Sequence, residues 1–504
     1  MKNTLFLFLL IACLQAPAQK PKTFRPFIQP CDCRFRVDSS YIAAVPPALK
    51  ADSVYNPPFD SSFQRQCGYL VVPENRKKAS SRLIRLPFII VKSKNPGKKK
   101  DPVLSTSGGP GNSSLRWASG ITRSSLIQDR DCIAFEQRGT RFAIPYLRST
   151  ELDMAWREAY RHNLSKDSMT IVGVKRYRQT LERKGIDLAG YNSDETVSDI
   201  HDLLTALQID SVNLMGGSYS GGLMMAVLQK NPAKIRSLVL DSPLPMFTPI
   251  DEDEPVNFNE ALDVLAARCA TDSAGQALYG DLNGRFRRYF TAIANTVFYF
   301  PYVEKGSTDT LQVQYTKNEL LDAVVSNMLN AATLKDVPFI INEIIRGNHA
   351  PYIRRYLDRI FNVYPAPDGM RISVYCADQS AYHSEAVIRQ LYALYPYMMG
   401  YRINDVYKAM CDCWKAPPVS PVTKQAFYSA APALIADGAM DPACRPLYMA
   451  EISHYLPNAQ CFLFKNRSHG VGGKEMFDMV QQFIDHPYRT LVAPAPDIIP
   501  YRVP

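Results

Sequence analysis

The apolar residues of this chain form two alternating patterns over residues 103–240. Short uninterrupted apolar runs, typical of buried strands, occur at residues 103–105, 132–135, 212–215 and 235–240. Between them, residues 196–207 place five apolar side chains on one helical face: Val197, Ile200, Leu203, Leu204 and Leu207. Strand–helix–strand alternation predicts an α/β fold with a parallel sheet and flanking helices.

The segments around this alternation predict further elements. Residues 69–72 and 83–91 are predicted to be antiparallel strands, whereas the proline-rich residues 19–66 are predicted to be irregular. Residues 148–184 are predicted to be helical, and another helix is predicted directly after the strand at 212–215.

The alternation stops at residue 243 and resumes at residue 433. Residues 243–426 show helical patterning and many aromatic residues, without a strand–helix rhythm. The elements predicted after them are a strand at 433–435, a helix near 448–455, a strand at 461–464 and a helix at 474–484. The pattern predicts a sheet core, residues 19–242 and 427–504, interrupted by a helical cap insertion.

The composition is globular, with 46% hydrophobic and 21% charged residues among 504. The net charge of +10 comes from scattered basic residues, apart from the three lysines at 98–100. Nucleic-acid and membrane surfaces need basic residues clustered on one face. We therefore expect a solvated surface and no nucleic-acid partner.

The first eighteen residues predict export. Lys2 precedes an apolar run, residues 5–12, that is too short to span a bilayer and fits the core of a signal peptide. Cleavage is predicted after Ala16-Pro17-Ala18, whereas Leu10-Ile11-Ala12-Cys13 resembles a lipobox that would leave Cys13 lipidated. The protein is expected to be periplasmic or secreted, or alternatively a membrane-anchored lipoprotein, and no later stretch has the pattern of a transmembrane helix.

Export makes disulfides the expected state of the cysteines. Of eleven cysteines, ten remain without Cys13, an even number in an oxidising compartment. The pairs Cys31-x-Cys33 and Cys411-x-Cys413 have no partner pair with zinc spacing and no histidine nearby. Neither a metal site nor another cofactor is predicted.

The stretch Gly216-Gly217-Ser218-Tyr219-Ser220 contains a candidate catalytic serine. A nucleophilic serine lies on a tight turn directly after a strand, with small neighbours. Ser218 meets this requirement because it follows a predicted strand and two glycines. Ser220 is the alternative, but it requires the strand to continue through Gly-Gly-Ser-Tyr, which is poor strand sequence.

A serine hydroxyl also needs a base and a group that orients the base. His469 lies on the loop after the last predicted strand and is the predicted base, whereas His454 and His486 are predicted to be surface or packing residues. Asp441 follows the preceding predicted strand and is the predicted acid. Asp437, at the end of that strand, is its nearest alternative.

Backbone amides that donate hydrogen bonds to an oxyanion are predicted near Ser107-Gly108-Gly109-Pro110-Gly111, directly after the strand at 103–105. Glycines let the backbone approach a substrate, and Pro110 has no N–H to donate. The amides of Gly109 and Tyr219 are therefore the predicted pair of donors.

The chain order serine, aspartate, histidine is that of α/β-hydrolases. Five motifs add detail: Gly108-Gly109-Pro110-Gly111, Glu136-Gln137-Arg138-Gly139-Thr140, Gly216-Gly217-Ser218-Tyr219-Ser220, Gly438-Ala439-Met440-Asp441-Pro442 and Ser468-His469-Gly470. On these motifs the sequence resembles the exported branch of the prolyl aminopeptidase and tripeptidyl aminopeptidase family, roughly over residues 67–484.

The resemblance implies a serine aminopeptidase that cleaves short peptides from the N-terminus through an acyl-enzyme, with Ser218 as the nucleophile. Three positions depart from the family pattern: Glu136, where the family has aspartate, and Ser220 and Ser468, where it has glycine. The resemblance also implies a disulfide between Cys376 and Cys411. The other cysteine pairings stay open.

An aminopeptidase must desolvate the ammonium group of its substrate, and a carboxylate in the cavity offsets that cost. The acidic run Asp251-Glu252-Asp253-Glu254 begins the insertion shortly after a predicted strand, so Glu252 and Glu254 are candidates. The alternative is a solvated linker. Asp378 is a further candidate, and its alternative role is to cap a helix.

Two other functions remain open at this point. An ester hydrolase would have the same fold and triad, so the motifs do not separate it from a peptidase. A non-catalytic binding protein would have lost a member of the triad, yet all three residues are present.

Overall fold

The structure, a computed structural model, describes residues 24–39, 41, 54–271 and 273–501. The predicted signal peptide, with Cys13, lies outside the described residues. A ten-stranded sheet forms the centre of the fold. In spatial order its strands are β1 (Phe27–Cys31), β2 (Arg65–Pro73), β3 (Leu83–Val91), β5 (Cys132–Phe135), β4 (Val103–Thr106), β6 (Val212–Gly217), β7 (Ile235–Asp241), β10 (Ala433–Gly438), β11 (Ala459–Phe464) and β12 (Ile498–Pro500).

The six central strands, from β5 to β11, are parallel, and the outer strands pair antiparallel. Apolar side chains of the central strands, such as Leu104, Ile133 and Leu214, are buried. Parallel strands of this kind are covered on both faces, which explains their uninterrupted apolar runs. The mostly parallel sheet confirms the predicted fold class.

Seventeen α-helices are described. In chain order they are α1 (Arg116–Ile121), α2 (Leu126–Asp129), α3 (Glu151–Arg161), α4 (Lys166–Arg183), α5 (Ser193–Ala206), α6 (Tyr219–Lys230), α7 (Ile250–Cys269), α8 (Ser273–Tyr279), α9 (Leu282–Ala292), α10 (Lys317–Leu329), α11 (Val337–Ile345), α12 (Ala350–Asp358), α13 (Gly369–Tyr375), α14 (Glu385–Leu394), α15 (Lys408–Trp414), α16 (Leu447–Tyr455) and α17 (Gly473–Asp485). Helices α5, α6 and α16 share one hydrophobic cluster with the sheet, and α1, α2 and α17 share a second.

The insertion contains helices α7 to α15 and a hairpin formed by β8 (Phe298–Val303) and β9 (Thr310–Tyr315). The purely helical pattern predicted for it is wrong at this hairpin, where Phe300 and Tyr302 are buried and their neighbours in β8 are less so. Apolar residues of the insertion form a third cluster, which also includes residues of α3 and α4. Helices α3 and α4 therefore pack with the insertion, although they precede it by many residues.

The elements predicted in the core are confirmed, with two corrections. The segment predicted to be irregular contains β1, which lies at the edge of the sheet and includes Pro30. An edge strand tolerates proline because one side of its backbone has no partner strand. The helix predicted over 148–184 is divided into α3 and α4, and Asn163 between them has a φ of 51°.

The described cysteines are only partly paired. Disulfides join Cys33 to Cys67 and Cys376 to Cys411, while six described cysteines are free thiols. The expectation that disulfides are the general state is therefore wrong for these six. Free thiols such as Cys132 and Cys461 lie buried in strands, where cysteine packs as a small apolar residue.

None of the described helices has the length and apolar composition needed to cross a bilayer.

Candidate active site

Ser218 occupies the turn between β6 and α6. Its φ of 56° and ψ of −131° are unusual for a residue other than glycine. Its amide nitrogen lies 3.0 Å from the carbonyl oxygen of Asp241 and 3.1 Å from that of Ser242. The turn needs glycine nearby, since a side chain on Gly216 would lie 2.5 Å from the carbonyl oxygen of Ser220. The backbone thus holds Ser218 at the carboxyl end of the sheet.

Ser220, the alternative serine, lies in a different environment. It is fully buried, and its Oγ lies 2.6 Å from Thr106 Oγ1 and 3.0 Å from the Thr106 carbonyl oxygen. Ser218, in contrast, lines a cavity of about 460 Å³. The hydroxyl of Ser220 therefore joins α6 to the end of β4.

His469 and Asp441 form a close pair. Nδ1 of His469 lies 2.7 Å from Oδ2 of Asp441, whose Oδ1 accepts hydrogen bonds from the amides of Ala443 at 2.8 Å and Cys444 at 2.9 Å. Burial disfavours a charge on His469, but the Asp441 carboxylate outweighs burial, so the pKa of the imidazole is raised. The pair presents an oriented base in the wall of the cavity.

Asp437, the alternative acid, has other partners. Its Oδ1 accepts hydrogen bonds from Ser242 Oγ at 3.0 Å and from the Gly438 amide at 2.7 Å. Burial, together with the nearby charge of Asp441, raises the pKa of Asp437 well above its ordinary value. Asp437 is therefore a buried acid beside the pair, bonded to Ser242 and Gly438.

The histidine loop is held by residues at the end of β7 that were not predicted from the sequence. The Asp241 carboxylate accepts hydrogen bonds from the amides of Val471 at 2.8 Å and Gly472 at 3.3 Å. Ser242 Oγ accepts another from the Gly470 amide at 3.0 Å. One available signal was that the strand ending at residue 241 shares its carboxyl edge with the other site loops.

The glycine loop after β4 lies directly against Ser218. A side chain on Gly108 would lie 2.7 Å from the carbonyl oxygen of Gly217 and 3.0 Å from Cβ of Ser218. Within the described part of the chain, neither the Gly109 amide nor the Tyr219 amide donates a hydrogen bond. Both residues line the cavity beside Ser218, so their amides are available to a ligand there.

Glu136 and Gln137 hold the two flanks of this loop, a role that the sequence did not reveal. Glu136 Oε2 accepts hydrogen bonds from the Ser114 amide at 2.7 Å and the Leu115 amide at 3.2 Å, and Gln137 Nε2 donates to the Ser107 carbonyl at 2.7 Å. The family-like motif thus fixes the loop from both sides.

The three departures from the family pattern all make hydrogen bonds within the site. Glu136 accepts those just described, and Ser220 bonds to Thr106. Ser468, next to the base, is buried within hydrogen-bonding distance of the carbonyl oxygens of Met440, at 3.0 Å, and Met328 of the insertion. These replacements therefore connect loops of the site.

The cavity has a floor and a roof. We define the floor as Gly109, Ser218, Tyr219 and His469, which lie on loops at strand ends, and the roof as Arg371, Tyr375, Asp378 and Asn404, which belong to the insertion. Arg371 connects the two, because it donates hydrogen bonds to the Gly109 carbonyl and, from Nε at 2.6 Å, to Asp405 Oδ1.

Asp378 is the candidate amine-binding residue that lies in this cavity. It is buried, and its Oδ2 accepts a hydrogen bond from Ser193 Oγ. Oδ1 is also buried and has no hydrogen-bond partner among the described residues. Burial raises the pKa of Asp378 to about 7. The disulfide at Cys376 fixes the chain two residues earlier.

The acidic run lies elsewhere. It lies at the start of α7, so it is not a linker. Glu252 accepts a hydrogen bond from the Ser384 amide at 2.6 Å, and buried Glu254 accepts one from Tyr392 Oη at 3.0 Å and another from the Asn404 amide. Glu254 lines a neighbouring cavity, and neither glutamate lines the cavity of Ser218. These two glutamates hold segments of the insertion together.

The described residues contain no group of histidine, cysteine, aspartate and glutamate side chains that could hold a metal ion. The chemistry available to the cavity from the chain itself is a serine hydroxyl, an oriented imidazole, two backbone amides and the carboxyl groups of Asp241 and Asp378, of which Asp241 already holds the histidine loop. This set is suited to acyl transfer.

Comparison with known proteins gives one family. A family model described as alpha/beta hydrolase fold matches residues 101–472, more than half of the chain. No curated protein matches.

Several solved structures are similar at low identity. A proline iminopeptidase from Mycobacterium smegmatis is 14% identical, with 83% of this chain and 97% of that chain covered and a TM-score of 0.39. A thermophilic esterase from Thermogutta terrifontis is 12% identical, with 84% and 99% covered and a TM-score of 0.37. A 2-hydroxy-6-oxo-6-phenylhexa-2,4-dienoate hydrolase from a Rhodococcus species is 11% identical, with 84% and 100% covered and a TM-score of 0.35. These similarities do not distinguish between the three activities.

Proposed function

The chain belongs to the α/β-hydrolase family, and on that premise we propose that it is an exported serine aminopeptidase that removes residues from the N-terminus of short peptides. The observation that carries the proposal is a buried carboxylate, Asp378, in the wall of the same cavity as Ser218 and His469. A cavity that combines an acyl-transfer site with a carboxylate suits a substrate with a cationic end.

In this proposal Ser218 is the nucleophile. Its Oγ attacks the carbonyl carbon of the scissile bond while His469 Nε2 takes its proton, and Asp441 holds the imidazole through Nδ1. The Gly109 and Tyr219 amides donate to the oxyanion. His469 then protonates the leaving amine, the bond breaks, and water releases the acyl group from Ser218 by the same steps.

Asp378 binds the free amino group of the substrate. Transfer of an ammonium ion from water into a cavity is costly unless a charged partner compensates it. Oδ1 of Asp378 has no hydrogen-bond partner among the described residues, so an ammonium group supplies the donor that the carboxylate lacks. This interaction distinguishes the N-terminus of a peptide from its middle.

Export is supported by the predicted signal peptide and by the two disulfides. Disulfides persist mainly in oxidising compartments such as the periplasm and the extracellular space. Mass spectrometry of the mature N-terminus after expression tests this part of the proposal, because it separates cleavage before Gln19 from lipidation of Cys13.

The decisive experiment uses one peptide substrate in two forms, with a free and an acetylated N-terminus. We expect acetylation to lower kcat/KM about a hundredfold, which corresponds to about 3 kcal/mol of charged hydrogen bonding. Asp378→Asn should lower kcat/KM for the free peptide alone and so remove the difference.

Glu252→Gln is the matched control, because it neutralises a carboxylate of the insertion outside this cavity. It should leave the difference intact. Equal cleavage of free and acetylated peptides by the wild type would contradict the aminopeptidase proposal. Rapid turnover of simple esters without peptide cleavage would favour an ester hydrolase instead.

A further inference from the structure

A chain of buried hydrogen bonds connects the roof of the cavity to its floor. Ser193 Oγ lies 2.8 Å from Tyr219 Oη and is hydrogen-bonded to Asp378 Oδ2. Ser193 is 0% exposed, Asp378 is 1% exposed and Tyr219 is 4% exposed. Water therefore does not compete for these hydrogen bonds.

The number of available hydroxyl protons fixes which group donates in each of these hydrogen bonds. An ionised carboxylate only accepts, so the single hydroxyl proton of Ser193 is donated to Asp378. Ser193 Oγ is then the acceptor for the hydroxyl proton of Tyr219. Ser193 contacts both ends, and loss of its hydroxyl breaks both bonds.

The backbone of Ser193 supports the same carboxylate. Ser193 is the first residue of α5, a helix of 14 residues, and its backbone amide favours the ionised form of Asp378. The first amides of a helix have no partner within the helix, and the positive end of the helix dipole favours an anion. The hydroxyl and the amide of one residue thus both favour a charge on Asp378, while Oδ1 stays without a hydrogen-bond partner among the described residues.

We propose that Ser193 is a positioning residue that determines specificity for a free amino group. It orients Asp378 so that the unpaired oxygen remains for the substrate's ammonium, and it ties that carboxylate to Tyr219, the neighbour of the nucleophile. The separation between the amine site and Ser218 is thereby fixed. This inference rests on the proposed function and names the residue that tunes it.

Charged and titratable groups around Asp378 affect the equilibrium between its protonated and ionised forms. Lys424 stabilises the ionised form and Asp194 disfavours it, while Tyr219 and Tyr382 are the neighbouring phenols. With the pKa of Asp378 at about 7, the carboxylate gains its charge close to neutral pH. Loss of the Ser193 hydroxyl raises this pKa further, because a hydrogen bond to the charged form is removed.

The experiment measures kcat/KM for the free and acetylated peptides between pH 5.5 and 8 in wild type and in Ser193→Ala. We expect Ser193→Ala to lower the ratio of the two values about tenfold at pH 7, the scale of one hydrogen bond to a charged group. The pH at which the ratio rises should also move upward. The acetylated peptide reports on His469 alone and corrects for any change in the triad.

Two further variants sharpen the test. Ser193→Thr keeps the hydroxyl and should restore most of the ratio. Ser198→Ala removes another hydroxyl of α5, bonded to the Asp194 carbonyl at 2.9 Å, and should leave the ratio and its pH dependence unchanged. Thermal unfolding of each variant shows whether it is folded.

The possible failures are distinguishable. A ratio near one in the wild type overturns the proposed function, and this inference with it. A high wild-type ratio that Ser193→Ala leaves unchanged overturns the inference alone. An equal loss for both peptides, without a shift in pH dependence, shows a merely structural role for Ser193 and also overturns it.

Discussion

The floor and the roof of the cavity are built in different ways. Floor residues such as Ser218 and His469 lie on short loops at the ends of parallel strands, and their backbone is fixed by carbonyls, amides and carboxylates of neighbouring strands. Roof residues such as Asp378 come from the insertion and depend on side-chain contacts with distant segments. In the proposed function the floor supplies the bond-breaking chemistry, whereas the roof selects the substrate.

The insertion shows a second contrast, between paired and unpaired carboxylates. Asp251 contacts His383 Nδ1 at 2.6 Å and Tyr375 Oη, and Glu254 accepts hydrogen bonds from Tyr392 and Asn404. Asp378 alone of these three has a carboxylate oxygen without a partner among the described residues. The two carboxylates whose oxygens are all paired hold segments of the insertion together, whereas Asp378, which lines the cavity of Ser218, is the one that we propose binds a ligand.

The largest expected effect concerns the floor. Ser218→Ala should lower kcat/KM by several orders of magnitude on free and acetylated peptides alike, because removal of the nucleophile ends acyl transfer. It should also abolish labelling by a fluorophosphonate. Ser220→Ala is the matched control and should keep most of both. A peptide map that assigns the label to Ser220 would contradict the proposed nucleophile.

A smaller effect on the floor is expected from Glu136. Glu136→Ala leaves the buried amides of Ser114 and Leu115 without an acceptor and frees one flank of the glycine loop. We expect kcat/KM to fall about tenfold to a hundredfold on both peptides, because the oxyanion donors lose their fixed position. Glu158→Gln, in a partly exposed glutamate, is the control. A fall confined to one of the two peptides would contradict a role in the floor.

The smallest effect is expected when a paired carboxylate, Glu254, is neutralised instead of Asp378. Glu254→Gln should change the ratio of kcat/KM for free and acetylated peptides by less than about twofold, since Glu254 does not line the cavity of Ser218. Steady-state kinetics at pH 7 measure this ratio. A loss of discrimination as large as that expected for Asp378→Asn would move the amine site to the acidic run.

Glu254→Gln also tests how the stability of the fold depends on pH. Burial raises the pKa of Glu254 to about 8, so the folded state favours its neutral form. The contribution of Glu254 to the free energy of unfolding is fully present below the pKa of glutamate in the unfolded state, about 4.3. It is lost as pH rises through the folded-state pKa of about 8. Urea unfolding should show that this loss is missing in Glu254→Gln, and equal pH dependence in both proteins would contradict it.

Sequence patterns alone identified most of the floor. Uninterrupted apolar runs revealed the parallel strands, because a strand covered on both faces must be apolar throughout. The loops after these strands then contained Ser218, Asp441 and His469, since carboxyl ends of parallel strands meet at one edge. The supports Asp241, Glu136 and Gln137 were not recognised, because their hydrogen bonds go to backbone groups that no side-chain pattern reports.

The roof could not be read from sequence for a physical reason. Glu252, Glu254 and Asp378 are all acidic residues of the insertion, and sequence does not show how many donors surround each carboxylate. That number depends on segments far apart in the chain, as with Ser193 and Asp378, which are 185 residues apart. The sequence by itself determined the sheet, the turn at Ser218 and the order of the triad candidates, because these follow from local patterns and strand ends. Only the tertiary structure decided which of these three candidate carboxylates shares the cavity with Ser218, because burial and hydrogen-bond pairing arise when distant segments pack together.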